Sequence, residues 1–217
     1  MAEFCCQAVL FDLDGVLVDS NACIARHWED WGQRHGLDFT EVMNIAKGIR
    51  TVEAIRLITP DADAEAEAAA FAAAEIADTW GVTALEGALA LLEAIPRDAW
   101  AVVTSANKEV ALARLRSAGL PIPDVLVGAE DVNQGKPSPE PYLVGASRLG
   151  FPEHACLVIE DSPKGARAGR RAGMQVIGVS RTHSRQELDC SVVVSGLSAL
   201  RVSPGSGGNN RLVVLTE

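Results

Sequence analysis

A four-residue apolar segment, 8–11, runs straight into Asp12, Leu13, Asp14 and Gly15. Short, wholly apolar and bounded by a glycine turn, it predicts a strand buried on both faces. In a parallel sheet the binding crevice opens beyond the carboxyl ends of central strands. The two carboxylates are thus expected at the rim of such a crevice, turned the same way by the period-2 geometry of a strand. Uncompensated burial of charge is costly, so the pair calls for a cation, a proton or water. Asp and Gly are also good turn formers, and DLDG alone fits a solvated turn as well as a site.

The rest of the chain repeats the motif of an apolar run followed by a helix. Further strands are predicted at 100–104, 125–127, 156–159, 175–179 and 191–194. Helices are predicted at 86–95, 108–118, 139–149 and 164–172, with Gly119, Gly150 and Gly173 as stops just past three of them. This alternation predicts an α/β fold, a Rossmann-like parallel sheet flanked by helices.

Residues 16–82 break the rhythm and contain no convincing strand. Ile24, Trp28, Trp31 and His35 recur at helical spacing, which makes the two tryptophans candidates for a local core. Thr51 is placed to cap a helix over 52–58, and Asp61 to cap an alanine-rich helix reaching about residue 80. The predicted organisation is an inserted α-helical domain, 16–82, within an α/β core formed by 1–15 and 83–217. In the tail, 203–210 reads as a turn or linker, and 211–216 as a strand pairing with 200–202 in an edge hairpin.

The chain has 217 residues, 48% of them hydrophobic, enough for a sizeable core. Its net charge of −10 argues against nucleic acid or an anionic membrane as the main partner. No apolar run approaches the roughly 20 residues that span a bilayer. The first residues, MAEFCCQ, include an acid and no basic region, unlike a secretory signal. Five cysteines without CxxC or zinc-like spacing predict reduced thiols and a cytoplasmic protein.

Three further stations fall where such a sheet would present them. Thr104 and Ser105 follow the run WAVV, and a hydroxyl with successive N–H groups at a strand end makes an anion-binding concavity. The same residues also cap helices. Lys136 lies in GKPSPEPY, where Pro137, Pro139 and Pro141 restrict the backbone. Taken alone, it reads as an ordinary solvated lysine. Glu160 and Asp161 follow CLVI and repeat the Asp12/Asp14 arrangement. Four carboxylates on one sheet edge repel, and Mg²⁺, a hard cation that prefers oxygen ligands, resolves the conflict.

Taken in order, DLDGVLVDS, VVTSA, GKPSPEPY and IEDSPKGARAGRRAGM resemble the motifs of the haloacid dehalogenase superfamily of aspartate-nucleophile phosphotransferases. The resemblance spans about 8–195, and the insert after the first motif looks like a type-1 cap. It implies that Asp12 is the nucleophile, Asp14 the general acid/base, Thr104 with Ser105 the phosphate-binding pair and Lys136 the neutralising cation. It further implies a Mg²⁺ site formed by Asp12, Asp14, Glu160 and Asp161. An acid at Asp14 suits phosphoester chemistry, which must protonate an alcohol, better than carbon–halogen cleavage.

The cap string AKGIRTVEAI resembles the substrate-contacting segment of sugar- and polyol-phosphate phosphatases and of β-phosphoglucomutase. It implies that Arg50, joined by Lys47, reaches into the site; separately, Asn107 and Lys108 are candidates to line the pocket. Ile24 stands where the mutase has a cap histidine, and Ala106-Asn107 where it has a serine-lysine pair. Water is therefore the expected acceptor. The expected activity is hydrolysis of small sugar or polyol monophosphates by a monomer or weak homodimer. A phosphosugar mutase and a non-catalytic phosphosugar-binding protein are the alternatives.

Overall fold

The computed structural model describes residues 2–204 and 212–216. Six parallel strands form the main sheet: β2 (Ala8–Phe11), β5 (Trp100–Val103), β6 (Val125–Val127), β7 (Cys156–Glu160), β8 (Gln175–Val179) and β9 (Val192–Val194). Their spatial order is β6-β5-β2-β7-β8-β9. The chain thus builds outward from β2 on one side, then crosses to its other side. β2 borders that switch point, the position where such sheets open a crevice. Phe11 pairs with Val102 on one neighbour and with Ile159 on the other. The residues that follow these three strands are thereby brought level.

Burial of both sheet faces explains why the strands read as continuous apolar runs. Val9, Phe11, Trp100, Val102, Leu157 and Ile159 belong to one core cluster, which also takes up residues of α5 (Ala88–Glu93) and α6 (Lys108–Ser117). Ala8, Leu10, Ala101, Val103, Cys156 and Val158 belong to a second, with residues of α7 (Glu140–Leu149) and α8 (Pro163–Arg171). The short helix α9 (Arg185–Leu188) precedes the last strand. Gly119, Gly150 and Gly173 adopt φ of 67°, 77° and 78° at the expected helix stops.

Four consecutive helices lie between β2 and β5: α1 (Asn21–His35), α2 (Phe39–Ala46), α3 (Thr51–Ile58) and α4 (Ala64–Ala77). They share their own apolar cluster, in which Trp28 and Trp31 pack edge to face at 5.4 Å. Their entry and exit are tied together by a two-strand ribbon, β3 (Val18–Asp19) against β4 (Thr83–Ala84). So 16–82 does contain a strand, too short to register as a periodic signal.

Two expected caps shift. Thr51 is the first residue of α3, and Arg50 occupies the cap position without a side-chain cap bond. Asp63, not Asp61, caps α4, accepting from Ala66 N. The tail hairpin forms between β10 (Leu200–Pro204) and β11 (Leu212–Thr216), so Ser203 and Pro204 belong to a strand. The expected linker 205–210, and Arg211, fall outside the described residues. A strand not anticipated, β1 (Glu3–Cys6), pairs with β11 and completes a three-stranded sheet. All five cysteines are free thiols. No helix among the described residues is long and apolar enough to cross a membrane.

Candidate active site

Asp12 is the first residue beyond β2, and its N–H donates to the carbonyl of Ile159 on β7 (3.0 Å). Its carboxylate is therefore fixed at the seam between two central strands. Oδ1 accepts from Lys136 Nζ at 2.5 Å. Lys136 reaches this point from the loop between β6 and α7. It also donates to Glu160 Oε1 (2.7 Å) and the carbonyl of Val103 (3.0 Å), and lies over the Tyr142 ring. Lys136, at 3% exposure, is no solvated lysine. Burial works against its charge, but Asp12 and Glu160 outweigh it and hold the ammonium well above its ordinary value.

Asp12, Glu160 and Asp161 each place a carboxylate oxygen within 4.8 Å of the others. Burial raises the Asp12 carboxyl well above the usual range; Lys136 opposes this, while Glu160, Asp161 and Asp14 add to it. Asp161 is pushed up to about 7, by burial first and Glu160 second, with the Thr182 hydroxyl opposing. Burial and the mutual repulsion of these acids both disfavour their ionised forms, which a cation beside them would offset.

The donor set fits a hard divalent cation. Asp12 Oδ2 and Asp161 Oδ1 take no donor from the described residues. No deeply buried side-chain polar atom there lacks a partner, so these oxygens keep accessible surface, on two residues that line one cavity. Glu160 is different. Its Oε1 accepts from Lys136 and Tyr142, and its Oε2 from Ser162 N and Oγ. Both oxygens are committed, which casts Glu160 as the group that holds Lys136. Gly15 makes room here: with φ at +85°, a Cβ on it would stand 2.8 Å from Asp161 Cγ.

One cavity joins these groups. It is lined by Asp12, Asp14, Thr104, Ser105, Lys136 and Asp161 from the sheet edge, and by Lys47 and other residues of the helical layer. Thr104 is 4% exposed; its Oγ1 accepts from Ala106 N (3.1 Å), and its own N–H donates to Val127. The Ser105 N–H has no acceptor among the described residues, as an anion-binding donor requires.

Other expected residues lie elsewhere. Arg50 does not line the cavity. Its guanidinium donates to the carbonyls of Val132 (2.9 Å), Asn133 (2.9 Å) and Ala129 (3.3 Å), and to Glu53. It clamps the helical layer to the loop after β6. Lys108 Nζ is paired with Asp131 (2.6 Å), and Asn107 serves as the N-cap position of α6; neither lines the cavity.

Residues not anticipated take their place. Asp14 accepts from Ser20 Oγ (2.5 Å) and from Arg114 (2.7 Å). Arg114, 3% exposed on α6, also donates to Glu75 of α4. Burial lifts the Glu75 carboxyl, and Arg114 opposes that lift. Trp28, expected as packing, both packs and lines the cavity, as does Phe71; Thr182 and His183 line it as well.

Comparison with known proteins agrees with the geometry. Residues 6–173 match the model of the haloacid dehalogenase-like hydrolases. The chain is 40% identical over 210 residues to hexitol phosphatase A of Escherichia coli, covering 94% of this chain and 97% of that one. It is 36% identical over 220 residues to glycerol-1-phosphate phosphohydrolase 2 of Saccharomyces cerevisiae, covering 94% and 86%. The crystal structure of a hydrolase from Pseudomonas syringae superposes with a TM-score of 0.76 at 26% identity, covering 88% of this chain and 94% of that one. A parallel sheet whose central strand delivers Asp12 to Lys136 and Asp161, with this similarity along nearly its whole length, places the chain in the family of haloacid dehalogenase-like hydrolases.

Proposed function

We propose that this protein is a Mg²⁺-dependent phosphatase of small sugar or polyol monophosphates, acting through an aspartyl phosphate on Asp12. The observation that carries the reading is the convergence of Asp12, Lys136, Thr104, Ser105 and Asp161 on one cavity. Relatives named as hexitol and glycerol-1-phosphate phosphatases support the substrate class.

The free oxygen of Asp12 attacks phosphorus as the bond to the sugar or polyol oxygen breaks. Lys136, Thr104 Oγ1 and the Ser105 N–H balance charge on the phosphoryl oxygens. Asp14 gives its proton to the departing alkoxide, then takes one from water, whose oxygen attacks the aspartyl phosphate and frees Asp12 and inorganic phosphate. Asp14 must turn from Ser20 and Arg114 to do so. Asp12, Asp161 and the backbone carbonyl of Asp14 would hold Mg²⁺, which when bound supplies charge neutralisation between nucleophile and phosphate. Residues 16–82 act as a cap over the site, moving about 16–19 and 82–86.

Phosphate release from a panel of sugar and polyol monophosphates tests this, with and without Mg²⁺. Turnover that needs Mg²⁺ and disappears in Asp12→Asn supports it. No release above the Asp12→Asn control, with the protein folded, refutes it and leaves a binding protein. Interconversion of hexose 1- and 6-phosphates without net release would instead identify a mutase.

A further inference from the structure

The helical layer contributes Ile24, Trp28, Met43 and Phe71 to the cavity, a wall of apolar and aromatic side chains. Glu75 interrupts it. This acid is 5% exposed, sits in an alanine-rich helix and still lines the cavity. Its Oε1 is bonded to Arg114, whose other nitrogen holds Asp14. Its Oε2 takes no donor from the described residues, and no deeply buried polar atom there is unpaired, so that oxygen keeps accessible surface on a residue that lines this cavity.

The chemistry of this arrangement is selective. Asp14 and Glu75 share one guanidinium, and when Asp14 turns away to act, Arg114 remains bonded to Glu75 Oε1. A carboxylate oxygen accepts hydrogen bonds and cannot donate them. Hydroxyl groups match it, while the C–H face of a polyhydroxylated chain packs on Trp28 and Phe71. A carboxylate or second phosphate would bring like charge into a partly dry site and leave Glu75 unbonded. Lys47 lines the same cavity but is exposed, and so screens little.

We propose that Glu75 is the residue that selects the leaving group: it takes the hydroxyls of a neutral, polyhydroxylated alcohol and rejects phosphoesters whose alcohol carries a carboxylate or another phosphate. The proposal rests on the phosphatase reading and narrows its substrate class. Arg114 acts as the positioning residue that keeps Glu75 charged and aimed.

D-glucitol 6-phosphate and 6-phosphogluconate differ only in a terminal CH₂OH against a carboxylate, which makes them a clean pair. The wild-type protein should favour the first in kcat/KM by about tenfold or more, the size of discrimination one buried contact supplies. Glu75→Gln keeps an accepting oxygen and removes the charge. It should cut that preference several-fold, mainly by lowering KM for 6-phosphogluconate. Glu75→Asp retains the charge and should keep the preference, which also covers the case of a Glu75→Gln protein that does not fold. Equal use of both compounds by the wild type overturns the proposal while the phosphatase reading stands, as does an unchanged preference in a folded Glu75→Gln protein. Turnover of neither compound, nor of any other phosphoester, removes the phosphatase reading itself and the proposal with it.

Discussion

Lys136→Met would remove the cation that Asp12 and Glu160 share while roughly keeping the volume of the side chain. The lysine side chain is 2% exposed, and Glu160 is 1% exposed in the same pair. Deleting one member of a buried ion pair strands the other and costs about 3–5 kcal/mol. Near 2–4 °C per kcal/mol for a chain of this size, the melting temperature should fall by about 6–20 °C. The sign of the pH dependence follows from Asp12. Burial already raises its carboxyl above the unfolded value of 3.8, and loss of Lys136 would raise it further. An acid of that kind holds its proton more tightly in the folded state, so stability is lost as pH climbs through the window above the unfolded value. The deficit of the variant should therefore be smaller at pH 5 than at pH 8. Thermal unfolding of both proteins in EDTA at the two pH values measures it, beside phosphate release at pH 7. A variant that melts with the wild type at pH 8 would refute the idea that Lys136 holds these acids together, whatever its activity.

Three further outcomes are expected. Arg50→Ala removes charged hydrogen bonds to three carbonyls of the core; it should lower stability by about 1–3 kcal/mol and raise KM, read by urea unfolding and steady-state kinetics. Unaltered stability would show that the clamp is idle. Asp161, pushed up to about 7, should bind a proton in competition with a divalent cation, so Mg²⁺ affinity measured by calorimetry should weaken as pH drops from 8 to 6, with proton release on binding. A flat profile counts against Asp161 as a ligand. Gly15→Ala combines φ of +85° with a collision against Asp161; it should reduce Mg²⁺ affinity as well as stability, and loss of stability alone would separate Gly15 from the metal site.

The phosphoryl end of the site was legible because its residues sit at, or just past, the ends of buried strands. Strands covered on both faces leave near-continuous apolar runs, so Asp12, Thr104, Glu160 and Asp161 were marked by what precedes them. The parallel order then did the rest: β2 lies between β5 and β7, and their ends meet without any contact having to be guessed. β1 escaped notice because its partner strand lies at the far end of the chain, with Glu3 opposite Leu215, and four residues carry no periodic signal of their own.

The leaving-group end is built by a different rule, and that rule explains why it stayed hidden. Its walls come from helix faces that meet only after packing. Arg114 is buried against Asp14 and Glu75, whereas Arg116, two residues later in α6, is exposed. Nothing in KEVALARLRS separates the two arginines except the side of the helix each occupies. Arg50 shows the same dependence from the opposite direction. The string around it pointed to a substrate contact, but its orientation is decided by the carbonyls of 129–133 and by Glu53 one turn along α3. Chemistry carried on strand ends is thus readable from one stretch of chain, while selection of the leaving group depends on how α4 packs against α6. Changes in those two helices should retune substrate choice and leave the phosphoryl apparatus at the sheet edge in place.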